Sequence, residues 1–288
     1  MRRETAAIHW RNSCGQDVNA AARVPAGRAM TDIEHSEPPP RHLLFWEARA
    51  LYEHLAFVGA FPWLRLLPVG DGHPVLVFPG LAAGDSSTAA LRAFLANRGY
   101  AAYGWNLGPN LGLRPGLVIR TLMRLVEIRE RHGRKVSLIG WSLGGIFARE
   151  VAKALPDDVR LVVTLGSPFK GHPKATRAWQ LYEFLAGHSV EEARLGTNLH
   201  LPPPVPTTSI FSRSDGIVAW QCCMEGDLAH TENVEVRASH CGLGVNPATL
   251  YVIADRLAQP EGRWLRFDRS GARRLVYPDP WRGVRRAA

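Results

Sequence analysis

From Pro74 onward the sequence repeats one order: a short apolar strand, a turn rich in glycine or proline, and a helix. Parallel strands need a crossover of a dozen or more residues between them, and a helix fills that length. The repeat therefore predicts an α/β fold, with a mostly parallel central sheet that carries helices on both faces. The predicted strands are residues 75–78, 101–105, 136–139, 161–165, 208–211 and 234–236. The predicted helices begin near Ser87, Leu117 and Gly144, and a last helix covers residues 247–257.

Chain length and local composition predict how the molecule is divided. The chain has 288 residues, of which 46% are hydrophobic and 21% charged, and such a chain suits one large globular domain. We expect this domain to cover residues 74–259. Residues 1–40 have no sustained periodicity and end in three prolines at 38–40. They are therefore predicted to be a flexible extension that catalysis does not need.

Residues 41–73 are predicted to form a lead-in that begins with an amphipathic helix. Apolar residues recur there at helical spacing, and the helix should end before Pro62. Packing of the apolar side on the body is expected, with docking on a membrane as the alternative. The apolar residues that carry this pattern are Leu43, Leu44, Ala48, Leu51, Leu55 and Val58.

Positive charge is concentrated at the other end of the chain. The formal net charge is +9, and residues 260–288, which we interpret as a basic tail, contain eight arginines. No groove-reading motif with interleaved aromatic residues accompanies them, so no nucleic-acid partner is expected. The sequence shows neither a secretory apolar region near Met1 nor an uninterrupted apolar run of about 18 residues. These features predict a cytoplasmic protein, with peripheral membrane contact as a further option.

One connection between strands is much longer than the others. Residues 169–206 separate two predicted strands, whereas such connections usually have only a few residues. The segment contains an apolar helical stretch with Trp179, Tyr182 and Phe184. Ordering a long apolar segment costs entropy unless it covers apolar surface or ligand. We therefore predict a helical cap over a pocket, either fixed or mobile.

The sequence Gly140-Trp141-Ser142-Leu143-Gly144 follows a predicted strand and precedes a predicted helix. A serine hydroxyl is a weak nucleophile, so it must be exposed on a sharp turn where a base can reach it. The flanking glycines allow the close packing that such a turn needs. The pattern thus predicts Ser142 as a nucleophile.

A nucleophilic serine needs a base that an acid orients. Asp215 follows the strand at 208–211, and His240 follows the strand at 234–236, so both lie at carboxyl ends of strands, where sites of parallel sheets collect. His230 precedes its strand and should lie at the opposite edge. We therefore predict Asp215 as the acid and His240 as the base.

Acyl transfer creates an oxyanion that needs two preorganised donors. The backbone N–H of Leu143 is expected to be one of them. Pro79-Gly80 follows the first strand, and Gly80 allows the N–H of Leu81 to point inward as the second. The side chains expected to contact substrate are those of Trp141, Leu81, Trp179, Tyr182 and Phe184.

These segments occur in the order found in the α/β-hydrolase superfamily, and the chain resembles its bacterial lipase and esterase-like members over about residues 74–257. The elbow around Ser142, followed by Asp215 and His240, carries the resemblance. Pro79-Gly80 stands where the family usually has His-Gly. The resemblance implies hydrolysis of carboxylic esters of apolar acyl groups through an acyl-enzyme. A thioesterase or acyltransferase would use the same triad, and a binding protein of this fold would be non-catalytic.

The cysteines leave one structural question open. Cys241 adjoins the predicted base, and either Cys222 or Cys223 would tie the acid loop to the histidine loop by pairing with it. Buried free thiols are the alternative, which is usual in the cytosol. No Cys-x-x-Cys or histidine-rich spacing is present, so no metal and no other cofactor is predicted.

Overall fold

A computed structural model describes residues 37–172, 174–190, 192 and 198–284. The strands are β1 (Pro74–Phe78), β2 (Ala101–Gly104), β3 (Val136–Trp141), β4 (Val159–Leu165), β5 (Thr207–Phe211) and β6 (Thr231–Glu235). The helices are α1 (Arg41–Trp46), α2 (Ala50–Leu64), α3 (Ala89–Asn97), α4 (Leu117–His132), α5 (Leu143–Ala154), α6 (Trp179–Ala186) and α7 (Pro247–Leu257). Short 3-10 turns occupy Glu47–Arg49, Asp85–Thr88, Pro156–Asp158, Trp220–Cys223 and Gly271–Leu275.

The six strands form one sheet in the order β2-β1-β3-β4-β5-β6, and every neighbouring pair is parallel. Alternate side chains of each strand enter different cores because the side chains of a strand point to opposite faces in turn. Val75 and Val77 pack with residues of α3 and α7, whereas Leu76 and Phe78 pack with residues of α4 and α5. The prediction of a parallel sheet with helices on both faces is therefore confirmed.

The sheet places several loops at one edge. The loops after β1, β3, β5 and β6 carry Pro79-Gly80, Ser142, Asp215 and His240 respectively, and all leave carboxyl ends of parallel strands. His230 immediately precedes β6, and its carbonyl accepts a hydrogen bond from the N–H of Thr207 at the start of β5. It thus lies at the opposite edge from His240.

Two expectations for the N-terminal helices are wrong. Helix α2 does not end before Pro62 but runs through it to Leu64, because Pro62 is exposed in the last turn, where water can replace the missing hydrogen bond. The predicted apolar residues do not form the packing side: Leu51 is 72% exposed. The side that packs on the body combines the buried Glu53 with Leu64 and the partly buried Phe57 and Ala60. The polar side chains face inward because backbone N–H groups of the domain donate hydrogen bonds to their carboxylates. No helix in the described ranges is long and apolar enough to cross a bilayer.

Part of the basic segment at 260–288 packs on the domain. Phe267 and Tyr277 are buried, and their rings contact each other and Tyr251 of α7. The hydroxyl of Tyr277 donates to the carbonyl of Ala248 at 3.1 Å. The prediction of a flexible extension falls mainly on residues 1–36, which lie outside the described part of the chain.

Candidate active site

Ser142 lies in a strained turn between β3 and α5. Its φ is 53° and its ψ is −123°, in a region that costs a residue with a side chain about 1–3 kcal/mol. The surrounding backbone holds the turn in place: the N–H of Ser142 donates to the carbonyl of Leu165 at 2.7 Å. A Cβ on Gly140 would come 2.5 Å from the nitrogen of Gly145, and one on Gly144 would come 2.6 Å from the carbonyl oxygen of Pro79. The glycines of the motif are therefore required by backbone packing.

The turn borders a cavity of about 160 Å³ that is lined almost entirely by apolar side chains. Ser142 lies in its wall beside Leu81 and Leu143. The remainder of the wall combines residues of α4, α5 and the predicted cap. These are Val118, Leu122, Ile146, Phe147, Val151, Ala178, Trp179, Tyr182, Val190 and Leu199, with the polar residues Thr121, Glu150, His172 and Thr176. Leu113 from the loop before α4 and Val218 from the loop after Asp215 also line the cavity.

Asp215 and His240 form a buried pair. Nδ1 of His240 lies 2.6 Å from Oδ2 of Asp215, and both side chains are more than nine-tenths buried. The other carboxylate oxygen of Asp215 accepts hydrogen bonds from the N–H groups of Ile217 and Val218, each at 2.8 Å. Because a carboxylate only accepts, Nδ1 carries the proton and Nε2 is left with its lone pair.

The pair lies close to the strand end that holds the serine turn. A Cβ on Gly166, the residue after β4, would come 3.1 Å from His240 Nδ1 and 3.2 Å from Asp215 Oδ2. The residue before it, Leu165, accepts the hydrogen bond from Ser142. The serine turn and the Asp215–His240 pair therefore adjoin the same segment, Leu165 and Gly166.

Burial alone would lower the pKa of His240, because it disfavours the charged imidazolium. The carboxylate of Asp215, through its charge and its hydrogen bond, and the carboxylate of Glu47 act in the opposite direction. The net effect raises the pKa of His240 above its usual value. The site thus stabilises the protonated form of this histidine.

Glu47 joins the acid loop to the histidine loop. One oxygen of its carboxylate accepts hydrogen bonds from the N–H groups of Gly216, at 2.8 Å, and His240, at 2.9 Å. The other oxygen accepts from the N–H of Cys241 at 3.0 Å. A single side chain from the N-terminal helical segment therefore fixes the backbone on both sides of the Asp215–His240 pair.

Glu53 and Arg49 extend this contact. Glu53 accepts hydrogen bonds from the N–H and the hydroxyl of Ser239, and from the side-chain amide of Asn246 at 3.1 Å. Arg49 donates to the carbonyls of Ser214, at 2.8 Å, and Ala238, at 2.6 Å. The sequence analysis did not predict a role for these three charged residues. Their position on the polar side of the amphipathic pattern was the signal that could have shown it.

The proposed oxyanion donors lie on the cavity wall. A Cβ on Gly80 would come 3.4 Å from the Cβ of Ser142, so the loop after β1 passes directly beside the serine. Asn110 holds this loop by donating to the carbonyl of Pro79 at 2.9 Å and accepting from the N–H of Ala82 at 2.7 Å. The loop positions Leu81 opposite the N-terminus of α5, where Leu143 begins the helix.

The structure brings only part of the predicted substrate-binding set together. Trp179 and Tyr182 line the cavity with Leu81. Phe184 does not: it is 83% exposed, because it lies on the outer side of α6. Trp141 also lies outside the cavity wall, and its indole N–H donates to the carbonyl of His240 at 3.0 Å. Trp141 thus supports the histidine loop.

The predicted cap is anchored to its neighbours by hydrogen bonds. The N–H of Leu113 donates to the hydroxyl of Tyr182 at 3.3 Å, and the ring of His188 hydrogen bonds to the carbonyl of the same leucine at 2.7 Å. On the other side, the N–H of Arg177 donates to the carbonyl of Ile217 at 2.8 Å. These contacts hold the cap against the loop before α4 and against the loop that follows Asp215.

A second Asp-His-Ser chain lies at the opposite edge of the sheet. Nδ1 of His73 lies 2.5 Å from Asp71, and Nε2 lies 2.9 Å from the hydroxyl of Ser137. His73 and Ser137 are fully buried, and burial, the largest influence, lowers the pKa of His73 to about 4. Because no substrate can reach Ser137, we interpret this chain as structural. Ser142 differs because it lies in the wall of a cavity that a substrate can enter.

The question about the cysteines is answered by their positions. Cys241 is an exposed free thiol and Cys223 a buried one, so no disulfide joins the acid loop to the histidine loop. Although the residue is exposed as a whole, its thiol is partly desolvated, and this together with the neighbouring Glu47 carboxylate raises the pKa of Cys241 to about 11, which keeps it protonated near neutrality. Within the described residues, no group of three histidine, cysteine, aspartate or glutamate side chains converges as metal ligands.

Comparison with known proteins places this geometry in context. A family model described as a PGAP1-like alpha/beta domain matches residues 116–216, which include Ser142 and Asp215 but not His240. Aspergillus fumigatus lipase B is similar in structure, with 18% identity and a TM-score of 0.53 over 68% of this chain and 56% of the lipase. The match therefore spans little more than half of that lipase.

A Bacillus licheniformis lipase in its mature form has 18% identity and a TM-score of 0.49, over 67% of this chain and 94% of the lipase. No match was found among curated proteins. At 18% identity, the structural similarity to the Aspergillus lipase establishes a common fold and nothing further.

Proposed function

Because the chain has the α/β-hydrolase fold, we propose that it is a serine hydrolase that cleaves carboxylic esters of apolar acyl groups. The observation that carries the proposal is the strained Ser142 turn in the wall of an apolar cavity, next to a buried Asp215–His240 pair. In this proposal residues 74–259 are the catalytic domain and residues 169–206 are its cap.

The reaction proceeds in two halves. Nε2 of His240 takes the hydroxyl proton of Ser142 while the serine oxygen attacks the ester carbonyl, and Asp215 stabilises the imidazolium that forms. The carbonyl oxygen becomes an oxyanion that accepts hydrogen bonds from the N–H groups of Leu143 and Leu81. The ester bond then breaks, and His240 gives its proton to the leaving alkoxide.

Water completes the reaction. It gives a proton to His240 while its oxygen attacks the acyl carbonyl, and the Ser142 oxygen leaves and regains the proton from His240. The acid product and the original enzyme result. Since the cavity wall is apolar, burial of hydrocarbon on binding favours acyl chains over charged groups, at about 0.8 kcal/mol per buried methylene.

The acyl donor is tested by a substrate series. We expect p-nitrophenyl esters from acetate to palmitate to be hydrolysed, with kcat/KM highest for a chain of intermediate length that fills the cavity. Acyl-thioesters of the same lengths test the alternative of a thioesterase or acyltransferase on the same triad. Faster turnover of thioesters at every length would favour that alternative, and failure of a fluorophosphonate to label Ser142 would contradict both.

The pH dependence of catalysis is a second expected result. His240 must be neutral to act as a base, and its raised pKa keeps it protonated up to a higher pH than usual. The rate should therefore fall, as the pH decreases, at a higher pH than for an unperturbed histidine. Glu47→Gln removes one carboxylate that stabilises the imidazolium, so the acidic limb of kcat/KM should move to lower pH, with a loss of less than about tenfold at the plateau.

Glu130→Gln is the matched control for Glu47→Gln. Glu130 is an exposed residue of α4, so the same change of charge there should leave the acidic limb in place. A role of Glu47 limited to folding would lower the plateau without moving the limb. An unmoved limb in Glu47→Gln would therefore contradict the electrostatic role of this residue.

A further inference from the structure

The N-terminal helical segment, residues 41–66, carries an extended apolar surface that nothing in the described structure covers. Phe45 is 81% exposed and Trp63 69%, values far above those of side chains that pack on a domain. Contiguous apolar surface of this kind marks an interaction site. The exposed apolar side chains of this surface, the N-terminal apolar face, are Leu44, Phe45, Trp46, Leu51, Tyr52, Leu55, Val58, Trp63 and Leu66.

The charges of the segment are sorted by side. Its two acidic residues, Glu47 and Glu53, turn inward and accept hydrogen bonds from the acid and histidine loops. The groups on the exposed side that can carry charge near neutrality are basic: they are Arg41, His42, His54 and Arg65. The outward surface of the segment is therefore apolar and cationic, and it carries no exposed carboxylate.

This surface lies at the same edge of the molecule as the cavity. The backbone of Leu43 passes so close to Gly216, the residue after Asp215, that a Cβ there would contact it. The guanidinium of Arg177, next to the cavity residue Ala178, donates to the carbonyl of Pro39 just before α1. The cap helix α6 adds Phe184, which is 83% exposed.

We propose that the N-terminal apolar face docks on an anionic lipid surface. Tryptophan and tyrosine are favoured at the boundary between water and lipid, and an apolar helix face with flanking basic residues lies in that boundary. Basic groups near an anionic surface add electrostatic attraction. The inward carboxylates join the docked helix to the loops of Asp215 and His240, so docking places the catalytic edge beside the lipid.

A second copy of the chain is a poorer occupant. In a symmetric dimer the same face meets itself, so that Arg41 and Arg65 of both copies would gather with no exposed carboxylate of the segment to neutralise them. An anionic lipid surface supplies the charge that the face lacks.

The test is flotation of the full chain in about 0.1 M salt. Two vesicle preparations are compared, one of phosphatidylcholine alone and one of phosphatidylcholine with about 30 mol% phosphatidylglycerol. We expect binding to the anionic vesicles and weaker binding to the neutral ones. The double variant Phe45→Glu/Leu51→Glu should lower the partition coefficient by about tenfold or more, because two exposed apolar anchors become anions. Hydrolysis of a short soluble ester should not change.

The matched control is Leu265→Glu/Leu275→Glu, which places the same charges on side chains that are 75% and 76% exposed in the C-terminal segment. It should bind like the parent chain. Equal losses in both double variants, or no binding to anionic vesicles, would overturn the proposal. These outcomes are independent of ester hydrolysis, so a failed docking test leaves the proposed function unaffected.

The occupant is identified by a photoreactive benzoylphenylalanine in place of Phe45. With anionic vesicles present, the main product should be a lipid adduct. A main product linked to a second copy, or to residues 1–36 of the same chain, would overturn the proposal and identify that occupant instead.

Discussion

Replacing Ser142 with alanine is expected to lower kcat for ester hydrolysis by about a million-fold, the loss found when a triad nucleophile is removed. The reason is that, among the residues that the structure describes, no other hydroxyl meets three conditions at once: a turn that exposes it, a cavity for the acyl group and a nearby histidine held by a carboxylate. The variant should stay folded, because alanine fills the same turn with a smaller side chain. Steady-state hydrolysis and fluorophosphonate labelling measure the loss.

Ser137→Ala is the matched control, because Ser137 also belongs to an Asp-His-Ser chain. It should leave kcat unchanged and reduce the free energy of unfolding by about 1 kcal/mol, since one buried hydrogen bond to His73 is lost. Activity that survives in Ser142→Ala but disappears in Ser137→Ala would show that the wrong chain of residues was assigned to catalysis.

The position of the candidate site could be predicted because local signals agreed with the fold. The strands β1, β3 and β4 are short apolar runs, and the serine motif lies where strand and helix meet. Since all strands are parallel, residues that follow β3, β5 and β6 had to meet at one edge. That rule separated His240 from His230 without any knowledge of side-chain contacts.

The orientation of α2 could not be predicted in the same way. Its apolar spacing indicated a buried apolar side, and the usual balance of transfer free energies supports that expectation. The loops around Asp215 and His240, however, present backbone N–H groups that donate to the carboxylates of the N-terminal segment. Burying Glu47 and Glu53 satisfies these donors, whereas burying leucines would leave them unpaired at a cost of about 1–3 kcal/mol each.

The direction of the side chains within the cap could not be predicted from the sequence either. Trp179, Tyr182 and Phe184 belong to one short helix, and their spacing does not reveal which of them faces the cavity. The hydrogen bond between Tyr182 and Leu113 fixes the rotation of α6, and this rotation turns Phe184 outward. A contact between segments far apart in the sequence thus decides which residues line the pocket.

Gly144 connects the serine turn to the oxyanion loop, so Gly144→Ala should damage both stability and catalysis. A Cβ at this position would overlap the carbonyl oxygen of Phe78 and come 2.6 Å from that of Pro79, and backbone cannot move aside as a side-chain tip can. We expect the free energy of unfolding to fall by about 3 kcal/mol. In the molecules that fold, the loop with Leu81 should be pushed away from Leu143, which would separate the two proposed oxyanion donors and lower kcat by about a hundredfold or more.

Gly226→Ala is the control for this prediction, because a Cβ at Gly226 would meet no atom within 4 Å and its φ is not positive. Urea unfolding should place this variant within about 0.5 kcal/mol of the parent chain, with unchanged kcat. Two distinct losses in Gly144→Ala, one in the unfolding midpoint and one in kcat of the folded fraction, would follow from the packing of α5 against the end of β1. If Gly144→Ala behaved like Gly226→Ala in both measurements, the contact between the serine turn and the oxyanion loop would have to be abandoned, and with it the role assigned to Leu81.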